Sequence, residues 1–228
     1  VAIAEDRWLS GVVGLPCWRV GDAEAGAVTA HAAAHPPGLY TARVPCGDTR
    51  RVAELERGGF RVVDCGVTLT RPPAPPCPDP GGVVAAAPAH VEAVAAIGAE
   101  AFATSRFHLD PAMPPGAADR IKREWARNCA AGARGAGTLV VLRDGVPAGF
   151  LAVLADGPAR VIDLVAVGAA HRGRGLGRAL VAAFIARFGP AADELRVGTQ
   201  AANVASLRLY ESMGFRVAST AYALHLHT

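Results

Sequence analysis

The segment Val165–Leu180, VAVGAAHRGRGLGRAL, constrains this chain more than any other. An apolar strand runs into a loop holding Gly173, Gly175 and Gly177, and the loop runs into a helix. Glycine lets the backbone approach a ligand closely and point successive N–H groups at it. A helix N-terminus adds partial positive charge at the same place. Arg172, Arg174 and Arg178 add full charges. Such a loop suits a pyrophosphate. Two familiar phosphate loops are excluded. The G-x-x-x-x-G-K-[ST] form needs a Gly-Lys pair, and the chain has none. The G-x-G-x-x-G form fails because Arg178 stands where its third glycine belongs, and the flanking order is not a βαβ unit.

What fits is R-x-x-G-x-G, with Arg172, Gly175 and Gly177 at the fixed positions. A second pattern follows it. Asn203 opens a helix that contains Tyr210 and stops at Gly214–Phe215, in the run NVASLRLYESMGF. With both patterns in this order, the chain resembles the GNAT superfamily of N-acetyltransferases. The resemblance implies acetyl-CoA as cofactor. It places that cofactor on Leu164, Val165, Ala166, Val167, Arg172, Gly173, Arg174, Gly175, Leu176, Gly177, Arg178, Asn203, Leu207 and Tyr210. The Ala166–Val167 amides are expected to polarise the thioester carbonyl in the manner of an oxyanion hole. Tyr210 is expected to protonate the leaving thiolate, because a thiol has a pKa near about 8.5 and a tyrosine about 10. Asn203 is expected to cap its helix and touch cofactor.

Six of the twelve residues in Arg71–Gly82, RPPAPPCPDPGG, are proline. Proline at this density excludes helix and central strand and makes a stiff connector. The expected division is a small α/β domain over 1–71, a linker over 72–82 and the acetyltransferase domain over 83–228. The first part predicts strand (Cys17–Val20), helix (Ala23–Ala34), strand (Leu39–Val44), helix (Asp48–Arg57) and strand (Phe60–Leu69). The second predicts β-α-α-β-β-β-α-β-α-β. A weak echo links AELERGGFRVVDCGVTL at Ala53–Leu69 to SLRLYESMGFRVASTAYAL at Ser206–Leu224. The expected fold is therefore mixed α/β: a GNAT acyl-CoA N-acyltransferase fold preceded by a smaller α/β domain resembling a truncated copy of it.

Net charge is +3, which does not indicate nucleic acid. All but one of the 23 basic residues are arginine, a bias that coding composition explains for most of them. The five cysteines are scattered without a C-x-x-C, so no disulfide framework or zinc site is expected. His225 and His227 alternate along a strand, where packing or surface roles are expected rather than a metal pair. The most apolar stretch, Val83–Ala99, is broken by Pro88, His90 and Glu92, so no membrane span is expected. No secretory leader is visible, which leaves a cytoplasmic expectation. Pairing of an edge strand with a second copy would give a homodimer.

The acceptor is sought in EAFATSRFHLDP, Glu100–Pro111, and in REWARN on the next helix. Ser105, Arg106, Phe107, His108, Trp125 and Asn128 are the candidate acceptor residues. They resemble the acceptor side of bacterial nucleotide-sugar N-acetyltransferases acting on TDP-4-amino-4,6-dideoxyhexoses. DRWLSGVVGLPCWRV near the start and STAY at Ser219–Tyr222 extend that resemblance, although Val13 stands where phenylalanine is expected. It implies that a sugar amine is acetylated and that Arg106 pairs with the nucleotide phosphates. A protein, peptide or natural-product amine, or a non-catalytic CoA-binding module, are the alternatives. Asp64 and Asp163 are the first candidates for the base, with His108 and Asp110 behind them.

Overall fold

The computed structural model describes residues 2–75 and 77–228. The first part of the chain forms β1 (Ile3–Glu5), α1 (Arg7–Val13), β2 (Cys17–Val20), α2 (Ala25–Ala34), β3 (Leu39–Pro45), α3 (Thr49–Arg57) and β4 (Arg61–Arg71). The second forms β5 (Val83–Ala85), α4 (Val91–Ala101), α5 (Ala117–Ala130), β6 (Gly137–Arg143), β7 (Val146–Asp156) and β8 (Ala159–Val167). It ends with α6 (Leu176–Phe188), β9 (Glu194–Gln200), α7 (Val204–Ser212) and β10 (Arg216–His227). Three helices start on side-chain caps. Asp6, Asp48 and Asn203 each accept a backbone N–H three residues on, from Leu9, Arg51 and Ser206. The elements β1 and α1 had no counterpart in the predicted order. A three-residue strand and a seven-residue helix are too short to show a period.

The ten strands among the described residues join one sheet in the order β1-β2-β3-β10-β4-β9-β8-β7-β6-β5. The linker segment carries no helix or strand among its described residues. Arg71 ties it down by donating to the carbonyls of Pro72, Pro73 and Pro75. Pro76 lies outside the described residues.

The sequence echo has a structural counterpart. The run β2-α2-β3-α3-β4 repeats as β8-α6-β9-α7-β10, and each run opens on a parallel strand pair. The last strands are exchanged. β4 pairs with β9 of the other run, and β10 pairs with β3. β4 and β10 then lie antiparallel to each other at the middle of the sheet.

Alternation along the strands feeds two faces. Leu139, Val141 and Leu151 pack with Leu180, Val181 and Phe184 of α6, while Val140, Phe150 and Ala152 pack with Val94 and Ala126 of α4 and α5. Phe184 is fully buried, so its truncation to alanine would cost about 3–5 kcal/mol. Both edge strands, β1 and β5, are only three residues long. Short edges are one way in which sheets avoid pairing with other copies. The ground for expecting an edge-paired homodimer is therefore weak.

Candidate functional site: an acyl-donor groove meeting a cationic cavity

The parallel pairing of β8 with β9 runs only from Ala159–Glu194 to Ile162–Val197. Beyond it β8 continues to Val167 and β9 to Gln200, and β9 keeps only its pairing with β4 on its other edge. The sheet opens there as a wedge. A bulge in β8 skips Asp163 in its ladder with β7. After the bulge the ladder is regular, and Gly168 N–H donates to Ala148 O at 2.9 Å. Hydrogen-bonded pairs alternate in an antiparallel ladder. Leu164 and Ala166 N–H thus point to β7, and Val165 and Val167 N–H point into the wedge. This corrects the expected oxyanion pair: Ala166 N–H is turned away, and Val165 N–H takes its place beside Val167.

On one side of the wedge a groove of about 320 Å³ is lined by Val165, Ala166, Val167, Arg172, Gly173, Gly175, Leu176 and Gly177, with Ala205, Ser206 and Leu209 of α7. Gly173 and Gly175 have φ of +73° and +76°, and an added Cβ on either would find open space. The cradle therefore fits a pyrophosphate at the α6 N-terminus. Arg172 donates to Val167 O and Ala101 O, which fixes the loop against β8 and α4. Arg174 and Arg178 do not line this groove. Arg178 sits one turn into α6 on the side facing α7, and donates to Ser212 Oγ at 2.7 Å. Leu207 packs into the core, and Leu209, two residues on, faces the groove instead.

On the other side lies a cavity of about 270 Å³. Its lining includes Arg43, Asp64, Ser105, Arg106, Phe107, Lys122, Trp125, Asp163, Leu164, Thr199, Asn203 and Tyr210. Val165 and Ser206 line both spaces, so groove and cavity meet there. Tyr210 is buried, and burial raises its pKa well above the ordinary tyrosine value. The hydroxyl therefore stays protonated at neutral pH and can donate.

Three cations face this cavity. Burial and the neighbouring Arg106 and Arg43 push Lys122 down to about 8. Its ammonium rests on the Phe102 and Trp125 rings at 4.6 and 4.7 Å. Burial and Arg43 lower Arg106 to about 10, and its Nε is buried without a hydrogen-bond partner. Asp64 faces the same space. Burial raises its pKa, while the Cys65 N–H, Arg43 and Arg106 pull the other way. Asp163 also borders the cavity, but its lone pairs are engaged by Trp125 Nε1 at 2.7 Å and by Arg134 at 2.8 and 3.2 Å. That engagement corrects its candidacy as a base: Asp163 holds Trp125 in place.

Two candidate acceptor residues stand outside the lining. His108 lies behind Ser105, and Asn128 is in the last turn of α5, where its backbone carbonyl accepts the Ala133 and Arg134 N–H groups. Lys122 and Arg43 belong to the site without having been singled out. Lys122 is three residues before Trp125 and so on the same helix face, a signal the sequence carried.

His225 is buried against Phe107, in a packing position. His225 and His227 both lie 2.7 Å from Asp110 Oδ2, tying the acceptor loop to β10, with potential ligand atoms of the three within 4.8 Å of one another. His31 and His35, an H-x-x-x-H pair on α2, stack at 3.8 Å beside Trp18.

The Acetyltransferase (GNAT) family model matches residues 103–215. The dTDP-fucosamine acetyltransferase of Escherichia coli is 31% identical over 188 residues, which are 81% of this chain and 80% of that protein. The chain belongs to the GNAT acetyltransferase family. The spore coat polysaccharide biosynthesis protein SpsD of Bacillus subtilis is 33% identical over 142 residues, covering 61% of this chain. The chain spans about half of that relative, 48% of its length. Among solved structures, a tandem GNAT protein from the clavulanic acid biosynthesis pathway superposes with a TM-score of 0.63 at 19% identity, covering 94% of this chain and 76% of the other. A GNAT-family acetyltransferase from Colwellia psychrerythraea gives 0.54 at 12%, covering 82% and 65%. These two speak for the fold. Acetyl-CoA is the acyl donor of the GNAT family, and the glycine cradle of this GNAT chain fits it. Among the described residues, no helix is long and apolar enough to cross a membrane.

Among the described residues, the N-terminal repeat has no second cradle. At the N-terminus of α2, where α6 has its glycine loop, the Glu54 carboxylate accepts the Ala25 N–H at 3.0 Å and pairs with Arg51 at 2.9 Å. An internal anion fills that position.

Proposed function

We propose that this protein transfers an acetyl group from acetyl-CoA to the primary amine of a nucleotide-linked amino-deoxy sugar, with a TDP-4-amino-4,6-dideoxyhexose as the first choice of acceptor. The observation that carries this reading is the cavity that meets the donor groove at Val165 and Ser206. It presents Arg43, Arg106 and Lys122 against a single unpaired carboxylate, Asp64. A cation buried without a partner is costly, so such a lining suits an acceptor that brings negative charge. A nucleoside diphosphate does so, and a cationic peptide does not. The names of the two curated relatives, one a dTDP-fucosamine acetyltransferase and one a polysaccharide biosynthesis protein, support a sugar acceptor.

Each residue then has a definite task. Val165 and Val167 N–H groups stabilise charge developing on the thioester oxygen. The Gly173–Gly177 backbone and the α6 N-terminus hold the pyrophosphate. Tyr210 gives its proton to the departing thiolate. The donor supplies the activated acetyl group, and the protein supplies alignment with the acceptor amine.

Thiol release from acetyl-CoA, measured with and without the TDP-amino sugar, tests the reading. Saturable release that needs the sugar nucleotide is the expected result. Release that is equal without it, or absent with acetyl-CoA still bound, would move the acceptor to another amine or leave only binding.

A further inference from the structure

The acceptor cavity holds a proton path that the acetyl-transfer reading does not yet use. Ser105 lines the cavity and is 4% exposed. Its Oγ lies 2.6 Å from His108 Nδ1, and His108 Nε2 lies 3.1 Å from Asp119 Oδ1. The tight turn at 105–109, closed by His108 and Leu109 N–H donating to Ser105 O, folds the imidazole back over the hydroxyl. The Asp119 side chain is 59% exposed and the His108 side chain 13%. The three groups thus run from the cavity to solvent. Hydroxyl, imidazole and carboxylate in series is the arrangement in which an imidazole draws the proton off a hydroxyl, and an oxygen so relieved can take up another proton.

We infer that Ser105 is a catalytic residue that takes the acceptor's first proton and that His108 and Asp119 carry it out of the cavity. The inference rests on the amine-acetylation reading. An ammonium acceptor must lose one proton to expose its lone pair. That N–H bond breaks as the Ser105 oxygen gains the proton, and the Ser105 proton passes to His108 Nδ1. The imidazolium so formed gives its Nε2 proton through the Asp119 carboxylate to water, and the Nδ1–H form left behind exchanges back to the Nε2–H form through water before the next turnover. The amine lone pair then forms the C–N bond, and the C–S pair leaves on sulfur with the Tyr210 proton. The second amine proton restores Tyr210. The balance is one amide, one thiol and one proton to solvent. Ser105 touches the amine, while His108 and Asp119 act through it as positioning residues. Asp163 cannot do this work with its oxygens held by Trp125 and Arg134. Asp64 is the competing acceptor, and it has no comparable chain to the surface among the described contacts.

The direction of the path fixes a tautomer. Nitrogen-15 imidazole spectra of the unmodified protein should show neutral His108 with its proton on Nε2 and a bare Nδ1. A proton on Nδ1 would make Ser105 an acceptor from histidine and would overturn the relay. This readout needs no acceptor. In parallel, thiol release with the TDP-amino sugar should show kcat reduced about 100-fold in Ser105→Ala with the acetyl-CoA KM unchanged. Ser105→Thr should restore most of it, and Asp119→Asn should lower kcat less. Full turnover in Ser105→Ala, above all beside a large loss in Asp64→Asn, assigns the proton to Asp64 and overturns the relay. If the unmodified protein releases no thiol with that sugar, the substrate reading falls, and the tautomer alone decides the relay.

Discussion

The Trp125 indole N–H donates to Asp163 Oδ2 at 2.7 Å, across the gap between α5 and the bulge in β8. The bond sets one wall of the acceptor cavity. The bulge leaves Asp163 out of the ladder and lets its carboxylate reach the helix side of the sheet. Replacing it with asparagine removes the charge that Arg134 faces. Arg134 is partly exposed, so the stability loss should be about 1–2 kcal/mol. The acceptor KM should rise with kcat little changed. A hundredfold fall in kcat at constant KM would instead make Asp163 the base.

Tyr210→Phe keeps the ring contact with Phe215 at 5.9 Å and removes only the hydroxyl. Loss of a general acid lowers turnover by about 10²–10⁴-fold. Thiol release at saturating acetyl-CoA reads this directly, and an unchanged rate would remove Tyr210 from the chemistry.

Lys122 loses its charge as pH rises through about 8. The ammonium is present below that value and absent above it, so an anionic acceptor is held more tightly on the acid side. Acceptor KM should rise about tenfold, or about 1.4 kcal/mol, between pH 7 and 9.5. Lys122→Met should start from the raised KM and stay flat over that range. A steep profile in the variant would assign the effect to another group.

Acid should weaken the fold in two stages. Burial lowers the His225 pKa below its ordinary 6.5, against the pull of Asp110. The unfolded chain then binds this proton more readily, and stability falls as pH drops below about 6.5. Asp110 is held well below the usual carboxylate range by its bonds to His225, His227 and the Ala112 N–H, which together outweigh its burial. Its contribution is full above pH of about 4 and is lost below it. Urea midpoints from pH 8 to 3.5 check both stages. His225→Gln should remove the upper stage and shrink the lower one, because Asp110 also loses the imidazole that lowers its pKa.

Titration calorimetry should find one acetyl-CoA per chain. The N-terminal repeat has a parallel pair and a helix where a second cofactor would sit, but Glu54 occupies the helix end. A second site of similar affinity would mean that the Glu54 contact opens in solution.

The glycine loop, the Asn203 cap and the Tyr210 helix were legible because each depends on local residue types at fixed spacing. The strand exchange was not, since pairing across the length of the chain leaves no local mark. Lys122 and Arg43 were missed because their significance lies in being gathered at one cavity. Asp163 was misread because Arg134 and Trp125 meet it only in three dimensions. The turn of Ala166 N–H away from the wedge depends on the register after one bulge, which no composition reveals.

During synthesis β10 is the last of the ten strands to leave the ribosome, yet its place is between β3 and β4. Until it arrives, the nascent chain holds two strands whose facing edges have no partner. A chain stalled or cleaved before Arg216 would present those open edges to its neighbours, and unpaired edges recruit one another. Both repeats therefore mature in a single late event, when one strand closes the sheet.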